Sequence, residues 1–334
     1  MRYLFVAAFA LGSTQLTAIA GGLDPVQLVH AFPPSGPAEV AGTAVSDRVL
    51  RTMQHYAVPA FTDILAMHVA QTLQGSSSEP VVVVRRSRLG GREAVAALSR
   101  APADGRTLLL ASGPDGTAFA SSAWAVSGAS LKRVSLVASM PYVLIALREP
   151  RYAKADDLLA AARVGSPAVF VATPGEITVG HLAIERLRSL GRVSFEPVAY
   201  NGGIKALDAL VTRQVTAAIV PLPAALPYLP AGRVQALAIA ETRRHPAIPL
   251  VPTNAEAGLP ALNAITWFAV LATTKTPPPI VHEIQARLAR LSEAPDAREL
   301  FWELGLRLEP DGAPVWAQRG TTGTTRRDAL RPPS

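Results

Sequence analysis

The sequence predicts an α/β protein built from two parallel sheets whose strands alternate with helices. Short apolar runs typical of buried strands alternate with helix-like stretches along most of the 334 residues. Four consecutive valines at 81–84 are typical of a strand that is buried on both faces. The length exceeds one comfortable hydrophobic core, so about two domains are expected.

The elements follow one another in strand–helix order from the amino end. Strands are predicted where a short apolar run is bounded by turn residues, at 26–31, 81–84, 107–111, 134–138, 142–147, 168–172, 194–199, 217–220, 234–240 and 267–272. Helices are predicted where apolar residues recur at helical spacing, as Leu65, Val69 and Leu73 do, at 38–54, 62–74, 90–99, 155–162, 178–190, 204–212, 223–229 and 279–291. This order favours parallel strands joined by right-handed crossovers.

The first twenty residues are predicted to be a signal peptide. Arg2 supplies a positive charge, residues 4–11 form a short apolar stretch, and residues 18–20 (Ala-Ile-Ala) match a cleavage site. The apolar stretch is shorter than the roughly 20 residues that a transmembrane helix needs. A buried N-terminal helix is the alternative. The other end, 320–334, is predicted to be a flexible tail.

Composition and motif searches argue against most kinds of catalytic site. The chain has no cysteine, which excludes disulfides, thiolate nucleophiles and cysteine-ligated metals. Glycine-rich phosphate cradles and the nucleophile elbow are missing, and the six histidines lack metal-ligand spacing. We therefore expect no catalytic residue, no metal and no cofactor.

The charge balance is mildly basic, with 32 Lys and Arg against 25 Asp and Glu. The arginines are scattered and lack interleaved aromatic residues, so no nucleic-acid partner is expected. A positive surface would assist encounter with small anions. A merely solvated arginine-rich surface is an equal alternative.

Three turns that follow predicted strands carry the functional signal. They lie at 32–37, 173–181 and 200–203, and they are rich in glycine, proline and small hydroxyl residues. Ligands bind at the carboxyl edge of open α/β sheets, where backbone N–H groups and helix N-termini converge. Each turn alone has the composition of an ordinary turn. Three of them after buried strands indicate a ligand cleft.

Several motifs occur in the order typical of one receptor family. Phe-Pro-Pro-Ser-Gly-Pro at 32–37 resembles a Phe-Pro-Pro-Gly-Gly-Pro loop, and Asp-Gly-Arg-Thr-Leu-Leu at 104–109 resembles Asp-Gly-Tyr-Thr-Leu-Leu. The stretches at 138–144 and 252–260, the latter with Ala-Glu-Ala-Gly-Leu-Pro, are closer still. Over 24–310 the chain thus resembles the extracytoplasmic substrate-binding receptors of tripartite tricarboxylate transporters, also called Bug receptors.

The resemblance implies a two-lobed periplasmic-binding-protein fold (type II, Venus flytrap) with strand crossovers near Tyr142 and Trp267. Lobe I would comprise 21–141 and 268–319, and lobe II would comprise 142–267. Ligands of this family are small carboxylates held by main-chain groups and ordered waters. The protein would be a periplasmic monomer that serves membrane permease subunits.

Carried over position by position, the resemblance also implies ligand-binding residues in both lobes. Lobe I would contribute Phe32, Pro33, Ser35, Gly36, Ser112 and Gly113. Lobe II would contribute Thr173, Gly175, Thr178, Val179, Tyr200, Asn201, Gly202 and Val220. The amides near Thr178 would begin a helix and present about half a positive charge to an anion. A plain N-cap at Thr178 is compatible with that role.

Two aromatic side chains in these turns have competing interpretations. His181 is expected to be structural, because lone histidines are usually satisfied core or interface groups, although its imidazole could face the cleft. Tyr200 either contacts the ligand or satisfies a local carbonyl, with equal weight.

The chain departs from the family at several places. Residues 38–61 are extra, a Glu-Asn-Arg-Pro-Gly-Ala-Gly-Gly motif is degraded at 84–91, and 114–132 are compressed. Amino-acid-binding members carry an aspartate where this chain has Val220. An ammonium buried beside valine would lack a partner, at a cost of roughly several kcal/mol. The expected ligand is therefore a carboxylate without an amine.

Two other functions stay open at this point. A ligand sensor for a membrane signalling protein would use the same binding chemistry. A hydrolase on the same scaffold is the alternative from another class, and the missing nucleophile, base and metal constellations argue against it.

Overall fold

The structure is a computed structural model that describes residues 26–30, 61–76, 80–85, 92–113, 131–164, 168–176, 178–191 and 194–309. The predicted signal peptide, the turn at 32–37, the helix at 38–54 and the tail at 320–334 lie outside these ranges. Within them, none of the helices combines the length and the hydropathy needed to cross a bilayer.

Ten strands and eight α-helices occur in the described ranges. The strands are β1 (Val26–His30), β2 (Val81–Arg85), β3 (Thr107–Gly113), β4 (Leu131–Leu147), β5 (Val169–Thr173), β6 (Phe195–Ala199), β7 (Ala217–Pro221), β8 (Val234–Ile239), β9 (Ile265–Thr273) and β10 (Arg307–Leu308). The helices are α1 (Phe61–Gln74), α2 (Arg92–Arg100), α3 (Ala155–Val164), α4 (Val179–Gly191), α5 (Gly203–Val211), α6 (Leu222–Ala225), α7 (Pro278–Glu293) and α8 (Pro295–Glu303).

The strands form two sheets that share β4. In the first sheet the order is β2-β1-β3-β9-β4, and β10 also pairs with β4. In the second sheet, β4 lies between β8 and β7, followed by β5 and β6. Pro141 makes the last β4 pair with β9, and Tyr142 makes the first pair with β7. The strand therefore passes from one sheet to the other between these two residues.

Helices cover both faces of each sheet. On the first sheet, α1, α7 and α8 pack on one face through residues such as Leu65, Leu288 and Phe301, and α2 covers the other face. On the second sheet, α3 and α4 cover one face and α5 the other. The side chains on both faces of the central strands are consequently buried, which explains their nearly continuous apolar sequence.

The sequence prediction of wholly parallel sheets is wrong for the strands near the centre. β1, β2 and β3 are parallel, as are β5, β6 and β7, but β4 and β9 run antiparallel to their neighbours. The two strands predicted at 134–138 and 142–147 are one strand, β4. Pro141 has no N–H to donate to a neighbouring strand, and it lies where the strand changes partners.

Helix lengths at the carboxyl half also differ from the prediction. α6 spans four residues instead of 223–229, because Pro227 cannot continue a helix interior. α8 and β10 were not predicted. The C-terminal turn before β10 packs closely on α6, since a Cβ on Gly305 would lie 2.9 Å from the backbone nitrogen of Pro223.

Candidate functional site

The carboxyl ends of the parallel strands in both sheets meet at the middle of β4. At the end of β3, Gly113 pairs with Trp267, which pairs in turn with Ser139 of β4. At the end of β7, Pro221 pairs with Tyr142 of β4. Ser139 and Tyr142 are three residues apart, which is about 10 Å along an extended strand. The two carboxyl edges therefore face one short stretch, residues 139–142, which we call the junction.

The second sheet brings two turns to this edge. β5 is parallel to both β7 and β6, so the turns after Thr173 and Ala199 leave the sheet on the side where Pro221 meets the junction. The turns are joined by backbone hydrogen bonds: the Tyr200 N–H donates to the Thr173 carbonyl at 2.9 Å, and the Gly202 N–H donates to the Pro174 carbonyl at 3.0 Å. Two of the three predicted turns thus lie side by side.

The turn after β5 positions the N-terminus of α4. The Thr178 hydroxyl donates to the Gly175 carbonyl at 2.7 Å and accepts the His181 N–H at 3.4 Å, so Thr178 caps the helix as the sequence predicted. Gly175 has φ of 150°, a conformation that L-residues rarely adopt. The first N–H groups of the helix, those of Val179 and Gly180, lack carbonyl partners within it and point along its N-terminal end.

The turn after β6 positions the N-terminus of α5. Gly202 precedes this helix with φ of 101°, where glycine is again the favoured residue. A Cβ on Gly203 would lie 3.0 Å from the Ala224 Cβ and 3.9 Å from the Val220 Cβ, so the helix start sits on α6 and β7. Each helix N-terminus carries about half a positive charge. Two such termini therefore reach the same edge.

All of the predicted site residues except Val220 fall into three groups. On the second-sheet edge the structure brings together Thr173, Gly175, Thr178, Val179, Tyr200, Asn201 and Gly202. Ser112 and Gly113 end β3 on the first-sheet edge, where they are half-buried. Phe32, Pro33, Ser35 and Gly36 lie outside the described residues.

Val220 differs from the other predicted site residues because its side chain is fully buried. It packs in the cluster beneath α5, on the sheet face opposite the one that α4 covers. Thr173 is also fully buried, but its hydroxyl shares a 2.9 Å hydrogen bond with His181 Nδ1. Val220 therefore offers no polar group and no accessible surface at the edge.

The electrostatic character of the second-sheet edge suits an anion. Within the described turn residues 173–176, 178–181 and 200–203, Glu176 is the one acidic side chain, and it is exposed. The helix N-termini and turn amides supply partial positive charge, and no second acidic side chain among these described turn residues opposes it. In the parts of the chain that the structure describes, no cluster of three potential metal ligands occurs.

Sequence reasoning missed the contact that seats α4 against β4. A Cβ on Gly180 would lie 2.8 Å from the Cδ1 atom of Tyr142, so the helix packs directly on the tyrosine ring. Burial raises the pKa of Tyr142 to about 12, and a hydrogen bond with Thr266 offsets part of this rise. The sequence feature that could have indicated this contact is a glycine near the start of the helix. The ring links the α4 N-terminus to the junction.

Gly180→Ala is expected to destabilise the protein by about 2 kcal/mol, because the new methyl group would overlap the buried ring of Tyr142. Denaturant unfolding followed by circular dichroism measures this. Adding Tyr142→Leu to the variant should recover part of the loss. Equal or higher stability, as the better helix propensity of alanine alone would give, contradicts the contact.

The motif at 252–260 has a structural role in this fold. The Thr253 N–H donates to the Glu256 carboxylate at 2.8 Å, and the Glu256 N–H donates to the Thr253 hydroxyl at 3.2 Å, which is a reciprocal capping box. The Asn254 N–H donates to the Ile239 carbonyl, and its side-chain amide donates to the Leu262 carbonyl. These bonds fasten the segment between β8 and β9 to the end of β8.

Comparison with known proteins identifies related sequences. The model of the Tripartite tricarboxylate transporter family receptor matches residues 65–311. The UPF0065 protein in the tcbD-tcbE intergenic region of Pseudomonas sp. (strain P51) is 30% identical over 323 residues, which cover 94% of this chain and 88% of that protein. Protein BugT of Bordetella pertussis is 31% identical over 269 residues, which cover 77% of this chain and 73% of that protein.

Solved structures of similar proteins share the fold. A TctC solute binding protein from Polaromonas matches with a TM-score of 0.67 at 18% identity over 89% of this chain and 94% of that one. MatC from Rhodopseudomonas palustris with bound malate matches with a TM-score of 0.60 at 25% identity, over 89% of this chain and 96% of that one. An R. palustris protein with adipate matches with a TM-score of 0.63 at 24% identity, over 89% of this chain and 92% of that one. The α/β architecture is thus that of periplasmic solute-binding proteins.

Proposed function

The chain belongs to the family of tripartite tricarboxylate transporter receptors, and from this premise we propose that it traps a small organic carboxylate between its two sheets and delivers it to membrane permease subunits. Members of this family are substrate-binding receptors, and this chain is such a receptor rather than an enzyme. Closure of the two halves on the ligand would follow the hinge repertoire of such proteins, with the ligand stabilising the closed state.

The convergence of both carboxyl edges on the junction supports this proposal most strongly. Gly113 is level with Ser139, and Pro221 is level with Tyr142, on one continuous strand. A ligand at the junction would therefore reach backbone donors from both sheets without any long side chain. Because the strand itself crosses from one sheet to the other there, the same residues would serve as part of the hinge.

The ligand class follows from the donors at the edge and from the relatives. Helix N-termini and turn amides bind oxyanions through N–H groups. MatC has bound malate, and the R. palustris neighbour has adipate, both of which are carboxylates. We assign the contacts to Ser112 and Gly113 in one half, and in the other to Gly175, Thr178, Val179, Tyr200, Asn201 and Gly202. Thr173 is fully buried and supports these turns from the end of β5.

Four further residues of the predicted site, Phe32, Pro33, Ser35 and Gly36, stay predictions that the family resemblance supports. The same holds for export by the N-terminal twenty residues, for a periplasmic location and for a monomeric state. The two lobes would be 21–141 with 268–319, and 142–267. In the structure, β9 lies in the first sheet along its whole length, Ile265–Thr273, so residues 265–267 pair with strands of the first lobe and not of the second.

Titration calorimetry of the full chain, purified after export, tests the proposal. Malate, adipate and a panel of other small mono-, di- and tricarboxylates would be compared, and native mass spectrometry would search for a co-purified acid. At least one carboxylate is expected to bind with a dissociation constant of about 1 μM or below, about −8 kcal/mol. Absence of binding across the panel, together with a native mass spectrum that shows no co-purified acid, contradicts the proposal.

A further inference from the structure

The His181 imidazole is held at the carboxyl end of β5. His181 is the third residue of α4, and its Nδ1 shares a 2.9 Å hydrogen bond with the hydroxyl of Thr173, the last residue of β5. Thr173 is fully buried, so this bond draws the ring towards the strand end. The ring therefore lies where the turn residues and the α4 N-terminus meet.

The second ring nitrogen, Nε2, is available. Within the part of the chain that the structure describes, the imidazole makes its side-chain hydrogen bond through Nδ1 alone, and His181 is half-buried instead of enclosed. Its backbone N–H is already occupied by the Thr178 hydroxyl. The side chain is thus fixed at one end, and its other ring nitrogen has no hydrogen-bond partner among the described residues.

The Thr173 hydroxyl lets the imidazole adopt the tautomer that suits an anion. A threonine hydroxyl can both donate and accept a hydrogen bond. When Thr173 donates to Nδ1, the ring proton is on Nε2, which becomes a donor. The competing acceptor of the Thr173 proton is the Val198 carbonyl at 3.5 Å, the outer limit of a hydrogen bond. The 2.9 Å bond to His181 forms in either direction, so a carboxylate beside Nε2 would select the arrangement with Nε2–H.

We propose that His181 is a ligand-contacting residue whose Nε2–H donates to a ligand carboxylate, and that Thr173 is the positioning residue that sets its tautomer. This inference rests on the proposed function. It replaces the purely structural role that the sequence favoured for His181. It also adds an imidazole donor to the second-sheet edge, at the strand end nearest to the helix cap.

His181→Asn separates the two roles of the imidazole. The asparagine amide reaches the position of Nδ1, and so keeps a partner for Thr173, but it has no atom at the position of Nε2. Loss of one hydrogen bond to a charged ligand is expected to weaken malate and adipate binding about tenfold. The control is His282→Asn, the same substitution at an exposed position of α7, which should leave both affinities unchanged.

Thr173 is tested by a conservative pair and by a spectroscopic signal. Thr173→Val removes the hydroxyl at nearly constant volume and should weaken binding, whereas Thr173→Ser should restore it. The nitrogen-15 chemical shifts of the His181 ring, assigned with His181→Asn, should show the proton on Nε2 in the wild-type complex and lose this preference in Thr173→Val. If the role of Thr173 were purely structural, the substitution would change the stability of the protein without changing these chemical shifts.

The wild-type titration separates the possible failures. If the wild type binds malate or adipate and His181→Asn binds equally well at unchanged thermal stability, the inference is wrong and the proposed function stands. If the wild type binds no carboxylate of the panel, the proposed function is wrong and the inference fails with it. Tenfold weakening in His181→Asn with an unaffected His282→Asn supports both.

Discussion

Aspartate is expected to bind at least about a hundredfold more weakly than malate, and 2-aminoadipate correspondingly more weakly than adipate. Each pair shares a carbon skeleton, but the first member carries an ammonium group. A hundredfold difference corresponds to about 2.7 kcal/mol. That is within the cost of burying an unpaired ammonium, which is roughly several kcal/mol.

The structural reason is the shortage of acceptor charge at the second-sheet edge. Val220, the position at which amino-acid-binding relatives are expected to carry an aspartate, is apolar and fully buried beneath α5. Glu176, the acidic residue of the described turn segments, is exposed to solvent. The same edge has two helix N-termini that repel a cation. Discrimination against the amine therefore needs no additional group.

Paired calorimetric titrations at one pH and one salt concentration measure this discrimination. Using pairs with the same skeleton cancels the contribution of ligand length and of the carboxylates themselves. Comparable affinity for aspartate and malate, or tight binding of glutamate, would show that an acidic group reaches the ligand from elsewhere. The amine-free ligand class would then be wrong.

Acidification from pH 7 to pH 4 is expected to remove about 3 kcal/mol of folding free energy through a single residue, His245. Its side chain is fully buried, and its Nδ1 accepts the Ala247 N–H at 3.2 Å. Burial, reinforced by the nearby Arg307 charge, lowers the pKa of His245 from 6.5 to about 4, although the Leu306 carbonyl acts in the opposite direction. Arg307 is itself engaged with Glu241.

Stability falls in acid because the unfolded state takes up the proton at a higher pH than the folded state does. The pKa of the unfolded state is higher, so between pH 6.5 and about 4 the unfolded chain binds a proton that the folded chain refuses. This contribution to stability is complete above pH 6.5 and is lost as the pH falls towards 4. A difference of about 2.5 pKa units corresponds to about 3 kcal/mol.

Urea unfolding at several pH values between 4 and 7 tests this contribution. His245→Gln removes the titrating group, so its stability should fall less steeply with acid than that of the wild type. His282→Gln, at an exposed helix position, should keep the wild-type slope, because it leaves His245 in place. Identical slopes in wild type and His245→Gln would exclude His245 as the source.

The strands could be predicted because burial on two faces leaves a local trace in the sequence. The apolar runs of β3, at 108–111, and of β7, at 217–220, are examples. The prediction of two-sided burial is wrong for the four valines of β2, because β2 lies at the edge of the sheet and Val82 and Val84 are half-buried. β4 was predicted as two strands, at 134–138 and 142–147, and Pro141 between them is a residue that sheet interiors disfavour. Its continuity depends on a partner change between β9 and β7, which is a property of register and not of local composition.

The candidate site was predictable only as a set of turns. Strand ends with glycine and proline located Gly175 and Gly202, and the helix start identified Thr178 as a cap. The sequence could not give the pairing that puts the β3 and β7 ends on the same stretch of β4. Nor could it give the bond between Thr173 and His181, which joins a strand end to a helix turn eight residues later.

Hydrogen–deuterium exchange with and without a saturating carboxylate tests the central claim most directly. If the ligand lies at the junction, exchange should slow together in the second-sheet turns, at 178–182 and 200–203, and at the end of β3, at 112–113. A malate or adipate complex would serve, according to which acid the titrations show to bind. Slower exchange confined to one sheet, or located away from the junction, would contradict a ligand held between the two halves.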